Sequence, residues 1–133
     1  MQLATWNVNS LNVRLPQVLA WLASNPVDVL ALQELKLTDD KFPLQAFTEA
    51  GYQAQWFGQK TYNGVALLSK APAADVIKNI PGFEDEQSRV LCATIANVRV
   101  IGAYFPNGQE PGSDKFAYKM RWLTALRTWV QAE

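Results

Sequence analysis

Two apolar runs in this chain each end in groups able to hold a metal ion. Residues 2–8 lead into Asn7-Val8-Asn9-Ser10, and residues 27–32 lead into Gln33-Glu34. The amide oxygen of Asn7 and the carboxylate of Glu34 form an all-oxygen donor pair, which suits a hard cation such as Mg²⁺. Polar residues also follow buried strands because loops are solvated, so spacing alone leaves both readings open. Other positions carry phosphate-binding chemistry. Arg89 and Lys36 offer charge-assisted hydrogen bonds, and Asn107 with Gly108 joins a side-chain amide to the free backbone N–H of a turn. Lys60-Thr61-Tyr62-Asn63-Gly64 combines a cation, a ring and a flexible glycine, which could rest on a nucleic-acid backbone or be plain surface loop. Tyr104 ends an apolar run, where its hydroxyl could reach the same edge; a core or rim tyrosine is the simpler alternative.

Composition removes several chemistries. The 133 residues contain no histidine, which excludes a Ser-His-Asp triad, a His-Cys zinc site and a histidine general base within this chain. Lys+Arg and Asp+Glu balance at 12 each, so no global basic field draws the chain to nucleic acid and any phosphate contact must be local. No apolar run approaches the roughly 20 residues of a membrane span. The start lacks signal-peptide character and Cys92 has no intrachain partner, so a cytoplasmic setting is expected.

Asn7 and Glu34 can meet only if the segments before them are adjacent strands. Residues 2–8 read as a buried strand. Leu15, Val18, Leu19 and Leu22 then recur at helical spacing over residues 13–24, with Pro16 tolerable in the first turn and Asn25-Pro26 as a stop. Residues 27–32 form a second strand. Strand, helix and strand make a βαβ unit, whose parallel strands place their carboxyl ends on one edge, where open α/β sheets favour ligands. Downstream, a short helix is expected over 42–50 and strands near 53–57, 64–69, 90–96 and 98–104, with a weaker one over 74–78. Asn97 marks a tight turn, so a mixed sheet is expected. A last helix over 115–131 follows Pro111-Gly112-Ser113-Asp114, with Phe116, Met120, Leu123, Leu126 and Val130 on its buried side. No repeat or linker divides the chain, and Glu84-Asp85-Glu86 reads as a solvated loop. One domain is expected.

Five ordered segments carry a family resemblance: Trp6-Asn7-Val8-Asn9-Ser10-Leu11, Leu32-Gln33-Glu34-Leu35-Lys36, Asn63-Gly64-Val65-Ala66-Leu67-Leu68-Ser69, Ser88-Arg89-Val90 and Tyr104-Phe105-Pro106-Asn107-Gly108. With these the chain resembles the exonuclease III and apurinic/apyrimidinic endonuclease group of the endonuclease/exonuclease/phosphatase superfamily. The resemblance implies a metal site with Glu34 as principal ligand and Asn7 beside it, and Tyr104 as an active-site tyrosine near the scissile phosphate. It also implies Mg²⁺, or alternatively Mn²⁺, as cofactor. DNA contacts are expected from Lys36, Lys60, Tyr62, Asn63, Arg89 and Asn107. The implied substrate is double-stranded DNA, cut 5′ to abasic sites or trimmed at 3′ ends.

The resemblance further implies an α/β fold in which a mixed sheet flanked by helices makes about half of a four-layered sandwich. Family chains are about twice as long, and their second half supplies a Gly-Asp-x-Asn segment, further aspartates and a terminal Asp-His pair. The expectation is therefore an incomplete domain with essentially one sheet, its inner apolar face uncovered, inactive alone and in need of a second half-domain or self-association. Two alternatives remain. One is a phosphatase or phosphodiesterase of the same superfamily acting on inositol phosphates or lipids. The other is a non-catalytic interaction module using the sheet or a helix surface bearing Trp122 and Trp129.

Overall fold

A computed structural model describes residues 1–133. The βαβ unit forms as expected: β1 (Leu3–Asn7), α1 (Leu11–Ser24) and β2 (Val29–Gln33), with β1 and β2 parallel and Asn7 in register with Gln33. A 3₁₀ turn (Asp39–Lys41) and α2 (Leu44–Glu49) lead into β3 (Gln53–Phe57) and β4 (Val65–Ser69). Both β2 and β3 pair antiparallel with β4, which gives a mixed sheet of order β1-β2-β4-β3. Every residue of β4 is buried, as suits a strand paired on both edges and covered on both faces.

The remaining strands do not extend this sheet, which corrects the expectation of essentially one. Pro72 lies in the connection after β4, lacks the N–H that a tight hairpin ladder needs, and the chain crosses to a second layer. There β5 (Ala73–Lys78), β6 (Val90–Ile95) and β7 (Val98–Ala103) form an antiparallel sheet of order β5-β6-β7. The turn between β6 and β7 uses Ala96 and Asn97, both at positive φ.

The two sheets pack face to face. Val29, Val65 and Leu67 of the first meet Leu91, Ala93, Ile95 and Val100 of the second, so the inner face expected to be bare is covered by the chain itself. Gly102 permits this approach: a Cβ there would lie 3.1 Å from a Leu67 methyl. On the outer face of the first sheet, Val18 and Leu22 of α1 and Phe47 of α2 pack with Leu30, Leu32, Ala66 and Leu68. On the outer face of the second, Trp122 and Trp129 of α3 (Asp114–Ala132) pack with Val90 and Cys92. All four layers, helix-sheet-sheet-helix, are present in a narrow form.

What stays open is a seam. Strands β1 and β7 are the edges on one side, and a groove of about 330 Å³ runs between them, lined among others by Leu3, Thr5, Ala31, Gly102 and Phe105. Leu3 is 57% exposed, so β1 is an edge strand and not the buried one expected from its apolar composition. Two assignments on α3 also change. Met120 and Val130, expected on the buried side, are exposed, whereas Trp122 and Trp129, weighed as a partner surface, are core residues.

Candidate active site

The carboxyl ends of β1 and β2 share one edge, and backbone hydrogen bonds lace the loops that leave them. Ser10 N donates to Glu34 O (2.9 Å), Leu11 N to Leu35 O (3.0 Å), and Lys36 N to Asn63 O (3.0 Å). This weave forces unusual backbone. Asn9, Ser10, Glu34, Lys36 and Asn63 all lie at positive φ, a conformation that non-glycine residues adopt at a cost and that concentrates at functional sites. Gly64 is required here, since a Cβ would come within 2.9 Å of Leu35 Cβ.

Within this frame Asn7, Glu34 and Tyr104 meet. Glu34 Oε1 accepts from Tyr104 OH at 2.6 Å and from Asn7 Nδ2 at 3.0 Å. Lys36 Nζ stands 3.8 Å from Glu34 Oε2 and donates to Asn9 Oδ1 at 2.7 Å. The Tyr104 hydroxyl bond, aided by the Asn7 amide and the Lys36 charge, holds the Glu34 carboxyl below its ordinary value of 4.5 against the opposing effect of partial burial. Partial burial, with the bond to Glu34 and its negative charge, pushes the Tyr104 phenol up. At neutral pH the pair is therefore a carboxylate and a neutral phenol donor.

The donor set fits a hard cation in kind but not in number. Glu34 Oε2, which faces the Lys36 ammonium at 3.8 Å, is the carboxylate oxygen left for one, whereas Asn7 turns its amide nitrogen to Glu34 and its Oδ1 accepts from Asn9 N at 3.1 Å. In this arrangement Asn7 orients the carboxylate. No three acidic, histidine or cysteine side chains cluster anywhere in the chain, so the other ligands of a six-coordinate ion must come from elsewhere.

Beside Glu34 lies an open cleft of about 320 Å³, lined by Gln87, Arg89, Tyr104, Pro106, Asn107, Asp114, Lys115 and Tyr118. Arg89 and Asn107, both expected to contact DNA, line the same cleft as Tyr104. Arg89 is anchored by exchange with Tyr104: Tyr104 N donates to Arg89 O (2.8 Å) and Arg89 Nη1 to Tyr104 O (3.1 Å). Asn107 Oδ1 accepts from Gln109 N (2.9 Å), shaping the turn and leaving its NH₂ outward. Lys60 and Tyr62 are exposed on the loop before β4. Asn63 is buried with its NH₂ on Gln59 Oε1 (3.1 Å), so it supports the loop from within.

Sequence reasoning missed Lys115, Tyr118 and Gln87. A signal for Lys115 was available. Ser113 caps α3, its Oγ accepting from Phe116 N at 3.1 Å, and Lys115 stands against the helix dipole in a first turn that also carries Asp114. Glu84-Asp85-Glu86 is also more than solvated loop, because Tyr118 OH donates to Asp85 Oδ2 at 2.5 Å.

Comparison with known proteins finds relatives along the whole chain. Residues 4–132 match the endonuclease/exonuclease/phosphatase family. Exodeoxyribonuclease III of Haemophilus influenzae is 32% identical over 139 residues, which cover the whole of this chain and 52% of that protein. An exodeoxyribonuclease of Bacillus subtilis is 33% identical, covering 98% of this chain and 52% of its own length. Among solved structures, a 3′ phosphatase from Neisseria bound to a product DNA hairpin superposes with a TM-score of 0.97 at 52% identity, over 99% of this chain and 52% of that one. An AP endonuclease from Archaeoglobus fulgidus gives 0.96 at 37% identity, over 99% and 51%. The chain thus spans about half the length of these relatives, and no helix is long and apolar enough to cross a membrane.

Proposed function

Since the chain belongs to the endonuclease/exonuclease/phosphatase family, we propose that it is the metal-binding half of a Mg²⁺-dependent DNA repair phosphodiesterase, acting 5′ to abasic sites and at 3′ ends. The observation that carries this reading is the Tyr104–Glu34–Asn7 cluster, an ionised carboxylate held by two donors at a strand edge beside a cationic cleft. The names and DNA-bound form of the relatives favour DNA over inositol phosphates or lipids.

Bound at Glu34, Mg²⁺ or Mn²⁺ would supply charge neutralisation at a phosphate oxygen. The chain's own groups do the rest of what it can do. Asn7 fixes the carboxylate, Tyr104 offers a neutral O–H at the same edge, and Arg89, Lys36, Asn107 and Lys115 position the DNA backbone. Lys60 and Tyr62 extend that contact along the loop before β4. No histidine is present to take a proton from water and Glu34 would be committed to the cation, so the proposal draws the remaining groups of the reaction from outside these residues.

The 133 residues are accordingly one incomplete domain, working in the cytoplasm and completed by a second half along the β1 and β7 edges. Edge strand β1 carries no charge, proline or bulge, the usual devices that protect an edge against pairing. Mn²⁺ offers a direct test of the metal reading. Its paramagnetism should broaden the amide signals of Asn7 and Glu34, and Glu34→Gln should abolish the effect. Equal broadening in the variant would remove Glu34 from the metal site.

A further inference from the structure

Arg89 is held without any carboxylate partner. Nε donates to Gln87 Oε1 at 2.7 Å and Nη1 to the Tyr104 carbonyl, while the only ion pairs in the chain are Lys36–Glu34 and Arg99–Glu133. Its guanidinium carbon lies 5.0 Å from the Tyr104 ring centre and 5.7 Å from that of Tyr118, within range of cation–π attraction to both. Tyr104 already belongs to the site. Tyr118 has no role so far, yet its hydroxyl donates to Asp85 Oδ2, and Asp85 Oδ1 in turn accepts from Gln87 N at 2.9 Å. Asn79 closes the loop from below, donating to the carbonyls of Asp85 (3.2 Å) and Gln87 (3.0 Å). Helix α3 is thus tied through Tyr118 to the short loop whose Gln87 grips Arg89.

We propose that Tyr118 is a positioning residue for Arg89: its ring packs on the guanidinium, and its hydroxyl, through Asp85, fixes the loop that holds Nε. A long arginine side chain loses much rotamer freedom on binding a phosphate, and one already fixed loses less. Leaving the positive charge unneutralised by a carboxylate keeps it available to an anion. Burial, with the bond to Asp85, pushes the Tyr118 phenol well up, so it remains a neutral donor throughout the working range. The inference rests on the DNA reading above only for the identity of the anion in the cleft.

Two readouts on the 133-residue chain test it. The first needs no DNA: the ¹⁵N–¹H signal of Arg89 Nε, identified by its loss in Arg89→Lys, should be dispersed and slowly exchanging. Tyr118→Leu should collapse it to the free-arginine position, and Tyr118→Phe, which restores the ring but not the bond to Asp85, should recover part of the dispersion. The second is anisotropy of a fluorescent duplex bearing an abasic analogue, over a KCl series. Tyr118→Leu should weaken binding about tenfold and lower the salt slope by about one, as Arg89→Ala should, and the double variant should be no weaker than Arg89→Ala.

An averaged Arg89 Nε signal in the unaltered chain, no change in Tyr118→Leu, or additive losses in the double variant would each overturn the proposal. The expected Arg89 behaviour in a chain that ignores the duplex would support the positioning role and sink the DNA reading instead. If Tyr118→Leu loses cooperative unfolding, Asp85→Asn, confined to the loop, replaces it and should loosen the same signal.

Discussion

Ser10 occupies φ 89° and ψ 107°, a costly conformation for a residue with a Cβ, and its side chain makes no capping bond to α1. Its backbone N–H, bonded to the Glu34 carbonyl, is what the site uses. Ser10→Gly should therefore stabilise the chain by about 1 kcal/mol, the relief of strain exceeding the extra freedom glycine adds to the unfolded state. Denaturant unfolding checks this, and a loss of stability would show that the serine side chain has a role. For Glu34 the sign follows from a folded pKa below the unfolded value of about 4.5. The carboxylate contributes stability that is fully present above that value and is lost as pH falls through the lower, folded pKa. Tyr104→Phe removes the strongest cause, so a carbon-13 titration should find Glu34 moved back up toward 4.5; an unmoved value would mean that Tyr104 does not set it. That Asn7 and Glu34 meet was legible from their places after two apolar runs, whereas their part in a metal site came from the family resemblance. The bond from Tyr104 to Glu34, 70 positions apart, was not legible, because nothing local to either residue specifies that crossing between sheets; position made Tyr104 a candidate, and only the family resemblance favoured it over a core or rim tyrosine.

At the scale of elements, β1-α1-β2 was readable because its strands are adjacent in sequence and parallel, and geometry then brings their ends together. Helix α3 was readable in extent but not in rotation. Its apolar residues nearly encircle it, and the two tryptophans seven residues apart, rather than Met120 and Val130, fix the buried face. Trp122 is 1% exposed and Met120 47%. Trp122→Ala should cost roughly 3–5 kcal/mol, whereas Met120→Ala should stay within about 0.5 kcal/mol. Comparable losses in the two variants would contradict this orientation. The split into two sheets was the largest miss. Alternating and continuous apolar patterns locate strands without saying which sheet receives them, and the local hint, Pro72 at the crossing, is a single residue.

For the whole molecule, two sheets close on each other and leave a seam along β1 and β7 where a full face had been expected to lie bare. The chain spans about half the length of the relatives it matches, and the proposed metal site would need ligands and a proton acceptor beyond Glu34. The central claim is that these residues form a competent half of such a site. The most direct test mixes the chain with a separately produced carboxyl-terminal half of the Haemophilus influenzae relative, on an abasic duplex with Mg²⁺. Incision should appear only when both halves are present and should vanish with Glu34→Ala. Incision by the chain alone, or by the mixture containing Glu34→Ala at an undiminished rate, would contradict the account.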